Sequence, residues 1–181
     1  MRKDPDLPYH EKIFLGCSLA DPPGDRAGDK LGSPRILSVR RGATVRFFRV
    51  ELQPAAGYRD PSAPAHLVLT GAADVAAAYG DCRLHPALDL RGHFLVAVHR
   101  GPCSTGGYAI RISGVEQQGD EVTVTVARRD PRPGDPVTMM ITHPRDCVAV
   151  ERSALAPKGR LHFHFVDERG AKLSQVTIDI D

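Results

Sequence analysis

The chain lacks a strong charge of either sign. It carries 24 Lys plus Arg against 22 Asp plus Glu over 181 residues, a formal net charge of +2. Nucleic-acid binders usually concentrate a basic stripe, and so small a surplus argues against that class. Long apolar runs are missing too: nothing approaches the ~20 consecutive apolar residues that cross a bilayer as a helix. The start, Met1-Arg2-Lys3-Asp4-Pro5-Asp6, has no apolar h-region of the signal-peptide kind. Phe14-Leu15-Gly16-Cys17 has the outline of a lipoprotein cleavage site, but only Ile13 and Phe14 precede it as an apolar stretch, after Glu11 and Lys12. As written, the expectation is a chain that stays in the cytoplasm, without a membrane span. Cys17, Cys82, Cys103 and Cys147 form no C-x-x-C pair. Four cysteines allow three pairings, and the default in a reducing compartment is free, mostly buried thiols.

Hydrophobic residues make up 41% and charged residues 25%, which excludes wholesale disorder. The excess lies in 17 Gly and 15 Pro, about 18% of the chain where roughly 12% is average. Such punctuation favours short strands and turns over long helices.

Residues 1–34 are read as an irregular arm, broken by Asp21-Pro22-Pro23-Gly24-Asp25 and Gly28-Asp29, with an edge strand at Ile13–Leu19. A single β-rich domain is expected over 35–181. Its strands begin with Ile36–Val39 and Thr44–Leu52, and Gln53–Pro64 is a loop. His66–Thr70 enters one helix, Ala72–Tyr79, whose alanines favour the helix and whose Gly80 stops it. His93–His99 is apolar enough to be a central strand. Tyr108, Ile110 and Ile112 alternate with Ala109, Arg111 and Ser113, the period of a half-buried strand. Gly119-Asp120 turns the chain into Val122–Val126, a hairpin. Asp130–Pro136 is a rigid loop before a strand at Val137–Thr142, and Cys147–Val150 follows Pro144. A last hairpin joins Leu161–Val166 to Leu173–Ile180. The expected class is mainly β: an antiparallel sandwich or barrel-like sheet of eight to ten short strands with one short helix.

Three constellations bear chemistry. His162 and His164 flank Phe163 and share the outer face of their strand about 7 Å apart, close enough for one Zn²⁺ or Fe²⁺. A third ligand has to come from elsewhere, with His93, His99, His143 or Asp179 as candidates. Two ligands do not make a site, so the pair is read first as solvent-facing β residues opposite Thr177 and Asp179, and no metal or cofactor is assigned. Cys103 or Ser104 could act as a nucleophile, but no G-x-S-x-G elbow is present and Cys103 follows Pro102 in a turn. Gly101-Pro102-Cys103-Ser104-Thr105-Gly106-Gly107-Tyr108 has no Lys after its glycines and no helix after it, so it is not a phosphate loop. It is a strand–loop–strand connection: either a plain tip or a wedge for a partner.

That segment also carries a resemblance. A strand, then Gly101-x-x-x-Thr105-Gly106-Gly107-Tyr108-x-Ile110-x-Ile112, the hairpin Val115–Val126, Pro131-x-Pro133-Gly134-Asp135, a strand and Thr142-x-Pro144 resemble the PrcB family over about residues 66–152. The family is named for an accessory subunit of a subtilisin-like protease complex. The resemblance implies a β-rich, non-enzymatic domain that binds or stabilises a protein partner such as a protease, with the helix Ala72–Tyr79 ahead of the family's sheet. Its members are typically exported or lipid-anchored, a signal this sequence does not show. Thr105-Gly106-Gly107-Tyr108 is also similar to a loop of chagasin-like cysteine-protease inhibitors. Here an extra Gly is present, the preceding Asn-Pro is missing, and Gly134 stands after Arg132-Pro133 where those inhibitors have an aromatic. The contact surface expected on either resemblance is Pro102, Cys103, Ser104, Thr105, Gly106, Gly107 and Tyr108, with Arg132 and Pro133 beside them. Tyr108 is the anchor if exposed; its strand parity with Ile110 and Ile112 turns it toward the core instead. In that case Pro102 to Thr105 are the contact surface.

Overall fold

A computed structural model describes residues 42–82, 84 and 88–181. The arm 1–34, the strand at Ile36–Val39 and Cys17 lie outside the described residues. Among the described residues, nine strands and one α-helix follow in order: β1 (Ala43–Thr44), β2 (Phe47–Arg49), β3 (Ala65–Leu69), α1 (Ala72–Tyr79), β4 (His93–His99), β5 (Ala109–Gln118), β6 (Glu121–Arg129), β7 (Arg145–Glu151), β8 (Gly159–Asp167) and β9 (Lys172–Ile180). They form a five-stranded sheet, β1-β5-β6-β8-β9, and a four-stranded sheet, β2-β7-β4-β3. Every pairing is antiparallel except β6 with β8. The mainly β class with one short helix is therefore what the sequence predicts, in its sandwich form.

Strand alternation explains the layers. Val122, Val124 and Val126 of β6 and Leu161, Phe163 and Phe165 of β8 point inward and are buried, while their neighbours face out. From the other sheet Val68, Phe94, Val96, Val98, Val148 and Val150 meet them in one core. Phe94 and Phe163 touch edge to face across the layers, with centroids 5.8 Å apart. Each such fully buried side chain contributes roughly 1.5–3 kcal/mol. β4 is buried on its second face as well. Leu95 and Ala97 join Leu67, Leu69, Cys147 and Ala149 under Val75 and Tyr79 of α1 and under Val50 and Leu52. A strand covered on both faces needs a continuous apolar run, which is why Phe94–Val98 does not alternate.

The helix ends as its residues dictate. The Asp74 carboxylate accepts hydrogen bonds from the Thr70 amide and hydroxyl, both at 2.8 Å, at the N-terminus. Gly80 closes the other end at φ 68°, its N–H donating to the Ala76 carbonyl at 2.8 Å.

Two sequence expectations are corrected. Thr44–Leu52 is not one strand: β1 pairs with β5, the Val45 N–H still donates to the Val115 carbonyl, and Phe47–Arg49 then pairs with β7 in the other sheet. The chain turns a corner of the sandwich there. Asp146 on β7 and Arg49 on β2 fasten that corner to the first half of β5. The Ile112 N–H donates to the Asp146 carboxylate at 2.8 Å, and Arg49 Nη2 donates to the Ile112 carbonyl at 2.9 Å. Those two groups lie where the β5–β6 register shifts between Ile112 and Gly114, so the ties occupy an edge otherwise open to pairing. The second correction is Val137–Thr142, which forms no strand; only Thr142 makes an isolated bridge, to Cys103.

Candidate partner-binding loops

The connection between β4 and β5 and the long connection between β6 and β7 lie against each other. The Cys103 N–H donates to the Thr142 carbonyl at 2.8 Å, and the Thr142 N–H returns to the Cys103 carbonyl at 3.0 Å. Further along, the Gly106 N–H donates to the Thr138 carbonyl at 2.9 Å and the Thr142 hydroxyl to the Thr105 carbonyl at 2.8 Å. The tandem glycine makes this approach possible. A Cβ on Gly107, at φ 83°, would meet Val137 Cγ1 at 2.9 Å and Pro131 Cβ at 3.0 Å, and the proline ring cannot move aside cheaply.

The second loop has its own fold. Arg132 N–H donates to the Asp135 carboxylate at 2.8 Å, and Asp135 N–H to the Arg132 carbonyl at 3.0 Å, closing a turn through Pro133 and Gly134. Arg100, immediately after β4, holds the base of both loops. Its Nη1 donates to the Ala109 carbonyl at 3.0 Å and the Arg129 carbonyl at 2.7 Å, and its Nη2 contacts the Asp130 carboxylate. The same guanidinium sits 4.7 Å from the centroid of the Tyr108 ring.

This framework places the sequence candidates in two classes. Pro102, Ser104, Gly107, Arg132 and Pro133 are exposed, and Thr105 and Gly106 are half-buried. Cys103 is buried, its thiol 3.8 Å from the Gly101 carbonyl, and is removed from any contact surface. Tyr108 is half-buried beneath Arg100, between the two placements weighed from the sequence.

Residues that sequence reasoning read as strand supply the most conspicuous feature. Met139, Met140 and Ile141 are 88%, 61% and 68% exposed. They follow one another at the crest of the loop that Thr138 and Thr142 tie down. Three apolar residues in a row cannot alternate between core and water, and that run was the one available signal. Arg100 had none, since a lone arginine after a strand marks nothing by pattern.

Other candidates fall elsewhere. His162 and His164 face outward from β8 as expected. None of the third ligands named for them joins them: His99 is buried with its Nε2 2.7 Å from the Tyr79 hydroxyl, and His93 Nδ1 lies 3.0 Å from the Asp89 carbonyl. Asp179 pairs opposite Arg160 in register. A cleft of about 330 Å³ opens beside α1, lined among others by Tyr79, Arg145, Asp146 and Cys147. Burial pushes the Cys147 thiol up to about 12, so it is protonated at neutral pH and carries no nucleophile. Arg145 in that cleft is held by the Asp60 carboxylate at 3.0 Å. Among the described residues no helix is long and apolar enough to cross a membrane.

No curated protein and no solved structure matches the chain. One family model does. It is described as PrcB C-terminal and spans residues 94–151, from β4 to β7, so β3 and α1 lie outside it. Both loops and the strands that carry them fall within that stretch, over which the chain matches the family whose resemblance was read from the sequence.

Proposed function

We propose that this chain is a non-catalytic protein-binding module, an accessory or stabilising subunit, and that its partner seats on the paired loops. The observation that carries this reading is Met139-Met140-Ile141, three exposed apolar residues on backbone pinned by hydrogen bonds at both ends. Contiguous exposed apolar side chains on a rigid base mark an interaction site, and methionine adapts its shape to a partner surface. The backbone is already ordered, so little conformational entropy is lost on docking. Pro102, Ser104, Arg132 and Pro133, exposed on the same two loops, are the candidates for the polar rim that usually surrounds such an anchor. The family match supports an accessory role, and a protease is the partner class that the PrcB resemblance favours. The protonated Cys147 thiol and the buried His99–Tyr79 pair support the non-catalytic reading.

Site-specific photo-crosslinking in the native host tests it. A crosslinker at Met139 is expected to trap one discrete protein, while a crosslinker at the exposed Glu168, in the β8–β9 turn, does not. The same species trapped from both positions, or none from Met139, would sink the proposal. A protease inhibitor that inserts the Gly101–Tyr108 loop is the second reading. It is the weaker one, because Arg100 covers the tyrosine such a wedge would use.

A further inference from the structure

The outer face of the five-stranded sheet gathers groups that the sequence kept apart. β6 and β8 run parallel with Glu121 opposite His162 and Thr123 opposite His164, and β9 places Thr177 on the far side of His162. Inward positions of both strands are filled by Val122, Leu161 and Phe163, so Glu121, His162 and His164 all project to the same outer face. Asp120, in the turn before β6, accepts the His162 N–H on its carbonyl at 2.8 Å, which fixes that turn against β8. As a result one ligand atom each from Asp120, Glu121 and His162 lies within 4.8 Å of the others. His164 Nε2 contacts the Glu121 carboxylate and so holds it in place from beside the cluster.

We infer that Asp120, Glu121 and His162 form a binding site for a divalent transition ion, with His164 positioning the Glu121 carboxylate. His162 Nδ1 is 2.9 Å from the Thr177 hydroxyl, which leaves Nε2 as its ligating nitrogen. That arrangement orients the imidazole as outer-shell partners do in metal centres. One imidazole with two carboxylates makes an NO₂ set, and water can complete the shell. The set suits Zn²⁺ or Cu²⁺, whose bonds to such donors are about 2.0–2.2 Å, and not Ca²⁺ or Mg²⁺, which take oxygen ligands throughout. Two of the three ligands come from Asp120, in the turn the sequence reads at Gly119-Asp120, and from Glu121 just after it. The site is on a face separate from the Met139–Ile141 crest and goes beyond the partner-binding reading.

Titration of the purified full chain with ZnCl₂, followed by calorimetry, tests the inference. One site is expected whose affinity falls at least about tenfold in His162→Ala and in Glu121→Gln, and about tenfold in Thr177→Val, the loss typical of an outer-shell partner. CaCl₂ in excess is expected not to compete. The three ligand side chains are half-buried or exposed, and circular dichroism of each variant confirms that it folds. Zinc binding unchanged in the His162→Ala/Glu121→Gln double variant would overturn the inference, and so would the absence of binding to the unaltered chain.

Discussion

Taking the domain from pH 7 to pH 4 is expected to remove most of its stability, and two buried histidines are the cause. His66 is 8% exposed and His99 is 2% exposed. Burial, the largest influence on each, lowers both from 6.5 to about 4. Arg128 and His99 add to the lowering at His66; at His99 the Asp60 carboxylate opposes it and Arg145 reinforces it. A depressed histidine stays neutral in the folded chain while the unfolded chain takes up a proton below pH 6.5. The unfolded state therefore binds more protons between about pH 6.5 and pH 4, and stability falls as pH is lowered through that window. Each histidine contributes up to about 3 kcal/mol, on the scale of total stabilities of 5–15 kcal/mol. His66 stacks on Phe165 at 5.0 Å, and among the described residues its Nε2 has no hydrogen-bond partner, so a proton there meets no acceptor among them. His66→Leu is expected to keep the stability seen at pH 7 and to lower the slope of urea midpoint against pH by about half. A slope unchanged by that substitution would assign the acid sensitivity elsewhere.

Arg100→Ala is expected to destabilise the domain by about 2–4 kcal/mol and to loosen the partner-binding loops together. The guanidinium reaches the Ala109 and Arg129 carbonyls and the Tyr108 ring at once. Hydrogen bonds from a charged donor are worth about 1.5–3 kcal/mol each, whereas the ion pair to Asp130 adds little because that carboxylate is largely exposed. Arg100→Lys keeps the charge but not the fork, so it is expected to recover less than half of the loss. Chemical denaturation measures the energy, and amide exchange at Gly106 and Thr142 reports whether the loops have parted. A variant as stable as the parent, with those amides still protected, would remove Arg100 from the account.

The elements legible in the sequence are those whose signal is local. Alternation over Ile110–Val126 gives the β5–β6 hairpin, and the alanine run before Gly80 gives α1. The β8–β9 hairpin is legible for the same reason, a turn at Asp167–Gly170 between two alternating runs. Choice of sheet is not local. Val45 and Phe47 are both apolar at alternate positions, and nothing in that pattern says that the chain changes sheets between them. The parallel pairing of β6 with β8 is hidden because β7 lies between them in sequence and belongs to the other sheet. Of the candidate surface, the glycine loop was legible from its turn residues. The apolar crest was not, because Met139-Met140-Ile141 reads equally well as a buried strand.

The most direct test of the partner-binding surface uses the protein trapped by crosslinking at Met139. Its affinity is measured for the parent chain and for the Met139→Ser/Met140→Ser/Ile141→Ser variant, whose substitutions replace exposed side chains and whose fold is checked by circular dichroism. Removal of a central apolar anchor is expected to weaken binding at least about a hundredfold. Affinity within about twofold of the parent would contradict the assignment of this crest as the binding surface.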